Sequence, residues 1–180
     1  MPVVIAMLRA VNVGGRGKLP MENLRAICAA IGCSDVQTYI QSGNVVFKTA
    51  ERSLPKLAAK LEDAIEKKFG FRPPVILRTP AQLRAVIENN PFAKRQEVAP
   101  NKLLVWFLHA PLSTDAVARV AALPPTPEEV KIVGSEVFVY FPNGQGQTKL
   151  NWATVERAMK VTGTGRNLNT VMKLLEMAEA

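Results

Sequence analysis

Residue types able to do chemistry gather in one stretch of this chain. Leu8-Arg-Ala-Val-Asn-Val-Gly-Gly15, continued by Arg16-Gly17-Lys18, holds three cations, an asparagine and three glycines, and a helical pattern begins just after it. A glycine loop exposes backbone amides, and a helix N-terminus adds unpaired N–H groups and partial positive charge. Arg9, Arg16 and Lys18 add full charges, and the whole describes a place for an anion. Gly14, Gly15 and Gly17 equally suit a tight turn for steric reasons alone. Their spacing matches neither the P-loop nor the dinucleotide fingerprint.

Other polar groups lie further on. Gln37-Thr-Tyr-Ile-Gln41 reads as a polar strand with Gln37, Tyr39 and Gln41 on one face, and Ser42-Gly43-Asn44 after it has hairpin-turn chemistry. In the second half, Thr148-Lys149-Leu150 follows the glycine-rich loop Pro142–Gln147, and Thr164-Gly165-Arg166-Asn167 precedes the last helical pattern. Lys149 falls near a helix start, where the dipole disfavours a cation; an anionic partner or plain solvation explains it.

Several chemistries lack their residues. His109 is the single histidine and follows an apolar strand. Cys28 and Cys33 flank the end of one helical pattern and read as buried thiols, not as a disulfide scaffold or a zinc site. There is no paired-carboxylate motif and no nucleophile elbow. An RNA-stacking sheet needs aromatics on its first and third strands, and only Phe47 is present there. No metal and no cofactor is expected.

The elements that must position these residues follow from periodicity. Val3–Val13 reads as a central valine-rich strand. Pro20 opens a helix through Met21, Leu24, Ile27, Cys28 and Ile31 that Gly32 ends. Val36–Gln41 and Val45–Thr49 read as strands, and Ser53 caps a helix through Leu57, Leu61 and Ile65. Val75–Arg78 is a further strand, and Thr79-Pro80 opens a helix stopped at Asn89-Asn90-Pro91. Strand, helix, strand, strand, helix, strand is the ferredoxin-like split unit. The order then repeats: strand Lys102–His109, helix Ser113–Leu123 and a hairpin across Gly134-Ser135. A helix through Leu150, Trp152, Val155 and Met159, a short strand Val161–Gly165 and a last helix capped by Asn167 complete it.

The expectation is an α+β fold of two ferredoxin-like, antiparallel-sheet subdomains in tandem, an apparent duplication. Residues 1–90 form the first with a trailing helix, 91–101 a linker, and 102–180 the second with its own trailing helix. In such a sheet the end of the first strand lies beside the second hairpin. Asn12 and the 14–18 loop should therefore meet Ser42-Gly43-Asn44 where the first helix starts.

Composition agrees with a folded chain: 180 residues, 48% hydrophobic and 21% charged. Lys and Arg number 23 against 15 Asp and Glu, a formal +8. Residues 1–79 carry 12 basic and 6 acidic side chains, so the excess is mostly N-terminal. Such a balance favours acidic or phosphate-bearing partners. No apolar run approaches the roughly 18 residues of a membrane span. No secretory leader pattern is present, so no membrane partner and a cytoplasmic location are expected.

Leu8-Arg-Ala-Val-Asn-Val-Gly-Gly15 and Gln37-Thr-Tyr-Ile-Gln-Ser-Gly-Asn-Val-Val-Phe47 resemble the N-terminal signature of a bacterial family known as domain of unknown function 1697. Thr148-Lys-Leu150 and Gly165-Arg-Asn-Leu-Asn-Thr-Val171 resemble its C-terminal motifs. The resemblance implies two ferredoxin-like subdomains and no particular activity. Ala10 stands where that family often has glycine, Thr148 where it has serine and Leu168 where it has tryptophan.

Three functions are consistent with these residues. The first is a module binding an anionic small molecule or nucleic acid, with Arg9, Asn12, Gly14, Gly15, Arg16, Lys18, Tyr39, Ser42, Gly43, Asn44, Lys149, Arg166 and Asn167 as candidate ligand contacts. The second is an enzyme on a small polar or phosphorylated substrate held in a cleft between the subdomains. The third is a structural or oligomerising protein, with the polar strand at a sheet edge.

Overall fold

The first apolar run makes a strand because it opens on the β-branched residues Val3, Val4 and Ile5 and holds no turn former, and it lies centrally because both faces are apolar. In the computed structural model, which describes all residues 1–180, this strand, β1, spans Val3–Leu8 with Val4 to Leu8 all buried. Then follow α1 (Met21–Ala30), β2 (Ser34–Tyr39), β3 (Asn44–Lys48), α2 (Leu54–Phe69), β4 (Val75–Arg78) and α3 (Pro80–Glu88). The sheet order is β2-β3-β1-β4 with antiparallel neighbours throughout. The second sheet is built from β5 (Leu103–Leu108), β6 (Glu129–Val133), β7 (Glu136–Tyr140) and β8 (Gly163–Asn167), in the order β6-β7-β5-β8. Its helices are α4 (Thr114–Ala121) and α5 (Trp152–Met159), with α6 (Leu168–Glu179) trailing. Both sheets thus have the ferredoxin-like strand order, in two similar α+β subdomains. As compact units the chain divides into residues 1–84 with 173–180, and 85–172.

Local chemistry sets the helix ends. The Ser53 hydroxyl accepts from the Lys56 amide at the start of α2, and Gly70, at a φ of 77°, ends it. Thr79 and Gln82 form a reciprocal capping box before α3, and Asn167 accepts from the Thr170 amide at 2.9 Å to cap α6. Helix α1 closes with the paired bonds of a Schellman motif: Gly32 donates to the Ala29 carbonyl and Cys33 to that of Cys28.

Leu24, Ile27 and Cys28 of α1 and Leu57, Leu61 and Ile65 of α2 pack with Val4, Ala6, Leu8, Val45 and Phe47 of the sheet. The second unit builds its smaller core from Leu108, Val137, Val139, Val155 and Met159, with Trp106 and Trp152 half-buried in edge-to-face contact. Gly163 and Gly165 make room for Trp106: a β-carbon on either would lie 2.4 or 2.6 Å from the indole ring. The 91–101 segment, which composition marks as a linker, is anchored within the second unit. Phe92 is fully buried, and Arg95 lies over both Phe92 and Tyr140 while pairing with Glu129 at 2.8 Å. No helix is long and apolar enough to cross a membrane.

Three element boundaries at the loop edge of the first unit differ from the sequence expectation, and in the second unit the strand expected at Val161–Gly165 spans Gly163–Asn167. The run Val3–Val13 is not one strand: pairing stops at Leu8, and Ala10 and Asn12 take left-handed φ values of 57° and 55°. The polar strand ends at Tyr39 instead of Gln41, because Ile40 is also left-handed at 49°. Tyr39 pairs with Asn44, so the turn is Ile40–Gly43 and Asn44 belongs to β3.

Candidate functional site

The loop edge of the first unit grows out of the end of β1. The Leu8 amide donates to the Gly43 carbonyl at 2.9 Å, and the half-buried Arg9 donates its amide to the Pro74 carbonyl at 3.0 Å. The β1 exit and the β2–β3 turn are therefore side by side, as topology required. Gly43 is needed at the contact: its φ is 81°, and a β-carbon there would sit 2.9 Å from that of Leu8.

Residues 12–17 form a projecting β-hairpin. Val13 and Arg16 exchange backbone bonds, Asn12 donates to the Gly17 carbonyl at 2.9 Å, and Gly14 and Gly15 at the tip both have positive φ, the mark of a type I′ turn. A β-carbon on Gly17 would fall 2.3 Å from the Ala10 carbonyl oxygen, so the hairpin base admits only glycine. At Ala10 itself the 57° φ gives a physical reason for the glycine often found there in the family this chain resembles.

Asn12 joins this hairpin to its neighbours. Its Nδ2 donates to the Leu19 and Gln41 carbonyls, both at 2.8 Å, and its Oδ1 accepts from the Leu19 amide at 2.8 Å. One side chain thus ties together the hairpin, the entry to α1 and the β2–β3 turn. Asn44 does similar work below, donating to the Tyr39 carbonyl and the Ser42 hydroxyl. Of the candidate residues here, Asn12, Ser42, Gly43 and Asn44 form the frame. What the frame displays is Arg16 and Lys18, both exposed and neither paired with a carboxylate, together with the amides of Gly14, Gly15, Gly17 and Lys18, which meet no internal acceptor. No acidic residue occurs before Glu22, which lies in the first turn of α1. That helix starts without a side-chain cap.

The candidates of the second half fall in the other unit. Lys149 is exposed, and its amide donates to Glu128 Oε1 at 3.0 Å, as does the Thr148 hydroxyl at 2.8 Å. Glu128 is buried. Burial raises the pKa of its carboxyl, but hydrogen bonds from Thr148, the Lys149 amide, its own backbone and Thr126 outweigh this and hold it below the usual range. Serine would make the same bond as Thr148, so that departure from the family pattern leaves the clamp intact. Sequence reasoning passed over Glu128. Its position gives little signal, because Glu128 lies in the bend just before β6, outside the strand alternation that begins at Glu129. Arg166 is 7% exposed and donates to the Thr164 hydroxyl and the Gly165 carbonyl; burial pushes its guanidinium down to about 10. Asn167 is occupied in capping α6.

The geometry defines a class: an α+β protein of two ferredoxin-like sheets, the first carrying a stapled basic hairpin at its loop edge. Residues 1–138 match the model of the protein family of unknown function DUF1697, and the chain belongs to that family. The match takes in both N-terminal motifs. A solved structure described as that of conserved bacterial protein SP0830 from Streptococcus pneumoniae is similar over 98% of each chain, at 24% identity and a TM-score of 0.74, which speaks to the fold. Comparison with curated proteins finds no match.

Proposed function

We propose that this chain is a module that binds an anionic ligand at the loop edge of its first unit. The observation that carries the reading is that Arg16 and Lys18 lack any acidic partner while standing on a hairpin that Asn12 holds rigid. Unneutralised cations on an ordered frame lose little freedom on binding and offer charge-assisted hydrogen bonds. The unengaged glycine amides add neutral donors at the same place. We take the protein to be bacterial and cytoplasmic, in keeping with its structural neighbour and its two unbridged cysteines, and its two subdomains to descend from a duplicated unit.

The edge strand β2 argues against a role in joining chains. It carries a bulge between Ser34 and Gln37, and Asp35, left-handed at 50°, pairs with Lys48 at 2.7 Å; such features blunt an open sheet edge. The test of the anion reading is calorimetric titration with inorganic phosphate, nucleoside triphosphate and a short oligonucleotide at low and moderate salt. Saturable binding lost in Arg16→Ala/Lys18→Ala is the expected result. Absence of binding, or binding indifferent to that double substitution, overturns it.

A further inference from the structure

The same edge also exposes apolar side chains. Val13, on the hairpin, is 61% exposed and Ile40, on the β2–β3 turn, is 52% exposed, two of the few large hydrophobic residues left in water. The Asn12 side chain bonds the carbonyl next to Ile40, that of Gln41, so the two turns are held together. Val13 and Arg16 are direct cross-strand partners. Cross-strand partners project to one face, which sets an aliphatic and a cationic side chain side by side.

We infer that the partner of this edge is double-stranded DNA, gripped by the 12–17 hairpin in the major groove. The inference rests on the anion-binding reading and narrows it. Small-molecule sites are concave, whereas this hairpin projects, and β-carbons added to Gly14 or Gly15 would meet nothing within 4 Å. The partner must therefore supply the concavity. A two-stranded ribbon has backbones about 4.8 Å apart, and the major groove of B-form DNA, about 12 Å wide, admits such a ribbon with its side chains. The major groove of an RNA duplex is too narrow for it. Arg16 and Lys18 meet phosphates or guanine edges, and Val13 and Ile40 meet the thymine methyl groups that only DNA displays. Stacking on single strands or anchoring in a membrane interface draws on aromatic rings. Across Leu8–Lys18 and Tyr39–Asn44 the one aromatic, Tyr39, is half-buried in β2.

Fluorescence anisotropy decides the matter, with a labelled mixed-sequence DNA duplex, one of its single strands, an RNA duplex of the same sequence, and phosphatidylcholine vesicles doped with phosphatidylserine. The expected result is tightest binding to duplex DNA. Arg16→Ala and Lys18→Ala should each lower the log–log salt slope by about one. Val13→Ser should weaken binding by about tenfold or less at unchanged slope, because it removes apolar contact and no charge. Circular dichroism confirms that each variant is folded. Preference for the single strand, the RNA duplex or the vesicles, or duplex binding indifferent to all three substitutions, overturns the inference. Arg16- and Lys18-dependent binding of phosphate or nucleotide with no duplex preference overturns it while leaving the anion reading standing. No binding of any anion overturns both.

Discussion

Replacing Asn12 by alanine is the sharpest test of how this edge is held. The substitution removes three hydrogen bonds, all at 2.8 Å, and strands the amide and carbonyl of Leu19, a residue with no exposed surface. A hydrogen bond is worth roughly 0.5–1.5 kcal/mol net, so three contribute about 2–4 kcal/mol. Asn12 also sits at a φ of 55°, which asparagine tolerates better than alanine, adding a few tenths to about 1 kcal/mol. A total loss of about 3 kcal/mol lowers the thermal midpoint of a chain of this size by about 6–12 °C. Urea unfolding and calorimetry measure the global effect. Amide exchange at Leu19 measures the local one, because its N–H loses its acceptor. Asn12→Asp is the companion variant. It keeps an acceptor for Leu19 but turns the donor into a second carboxylate oxygen facing two carbonyls, so it should be at least as destabilising. Wild-type stability together with unchanged Leu19 exchange in Asn12→Ala would refute the claim that this side chain staples the edge. Because neither variant touches a cation, any accompanying loss of anion affinity reports the frame alone.

Three further outcomes follow from particular residues. Ala10→Gly should raise the urea midpoint by the equivalent of about 0.5–1 kcal/mol, since glycine relieves an exposed left-handed φ of 57°; an unchanged or lower midpoint refutes the strain. Burial, reinforced by neighbouring Cys33, pushes the Cys28 thiol up to about 12, and burial also raises that of Cys33 despite the Thr49 hydroxyl and Lys60. Ellman's reagent at mildly alkaline pH should therefore label neither thiol quickly until urea unfolds the chain, and rapid native labelling would contradict this. The Glu128 carboxyl lies below its usual range in the folded chain, so its stabilising effect is complete above the unfolded value of about 4.3 and is lost as pH falls through the lower folded value. The urea midpoint of the wild type should fall more steeply on acidification than that of Glu128→Gln, and parallel profiles would show that the clamp on Thr148 and Lys149 lacks that linkage.

How much of this was readable from residues depends on whether the determining interaction is local. Ser53, Thr79 and Asn167 mark helix starts because a cap bonds an amide only a few residues ahead, and Leu57, Leu61 and Ile65 mark a buried helix face by their spacing alone. The strand order follows from the element order, which is why the meeting of the β1 exit with the 42–44 turn was foreseeable. The end of β1 was not: Val11 and Val13 are strand-forming types, and Ala10 gives no sign that it will turn left-handed. Nor does a single asparagine reveal that its amide will reach carbonyls seven and 29 residues away. The glycines were legible as a loop, yet their use was not, because a type I′ hairpin and a phosphate cradle both draw on glycine for positive φ. What separates the two is where the amides point. Here Asn12, Val13 and Arg16 spend theirs within the hairpin and Leu19 gives its own to Asn12, while the tip keeps its amides for solvent. Arg16 and Lys18 consequently stand on a rigid projection instead of around a cavity. A projection of charge fits a partner that provides its own groove.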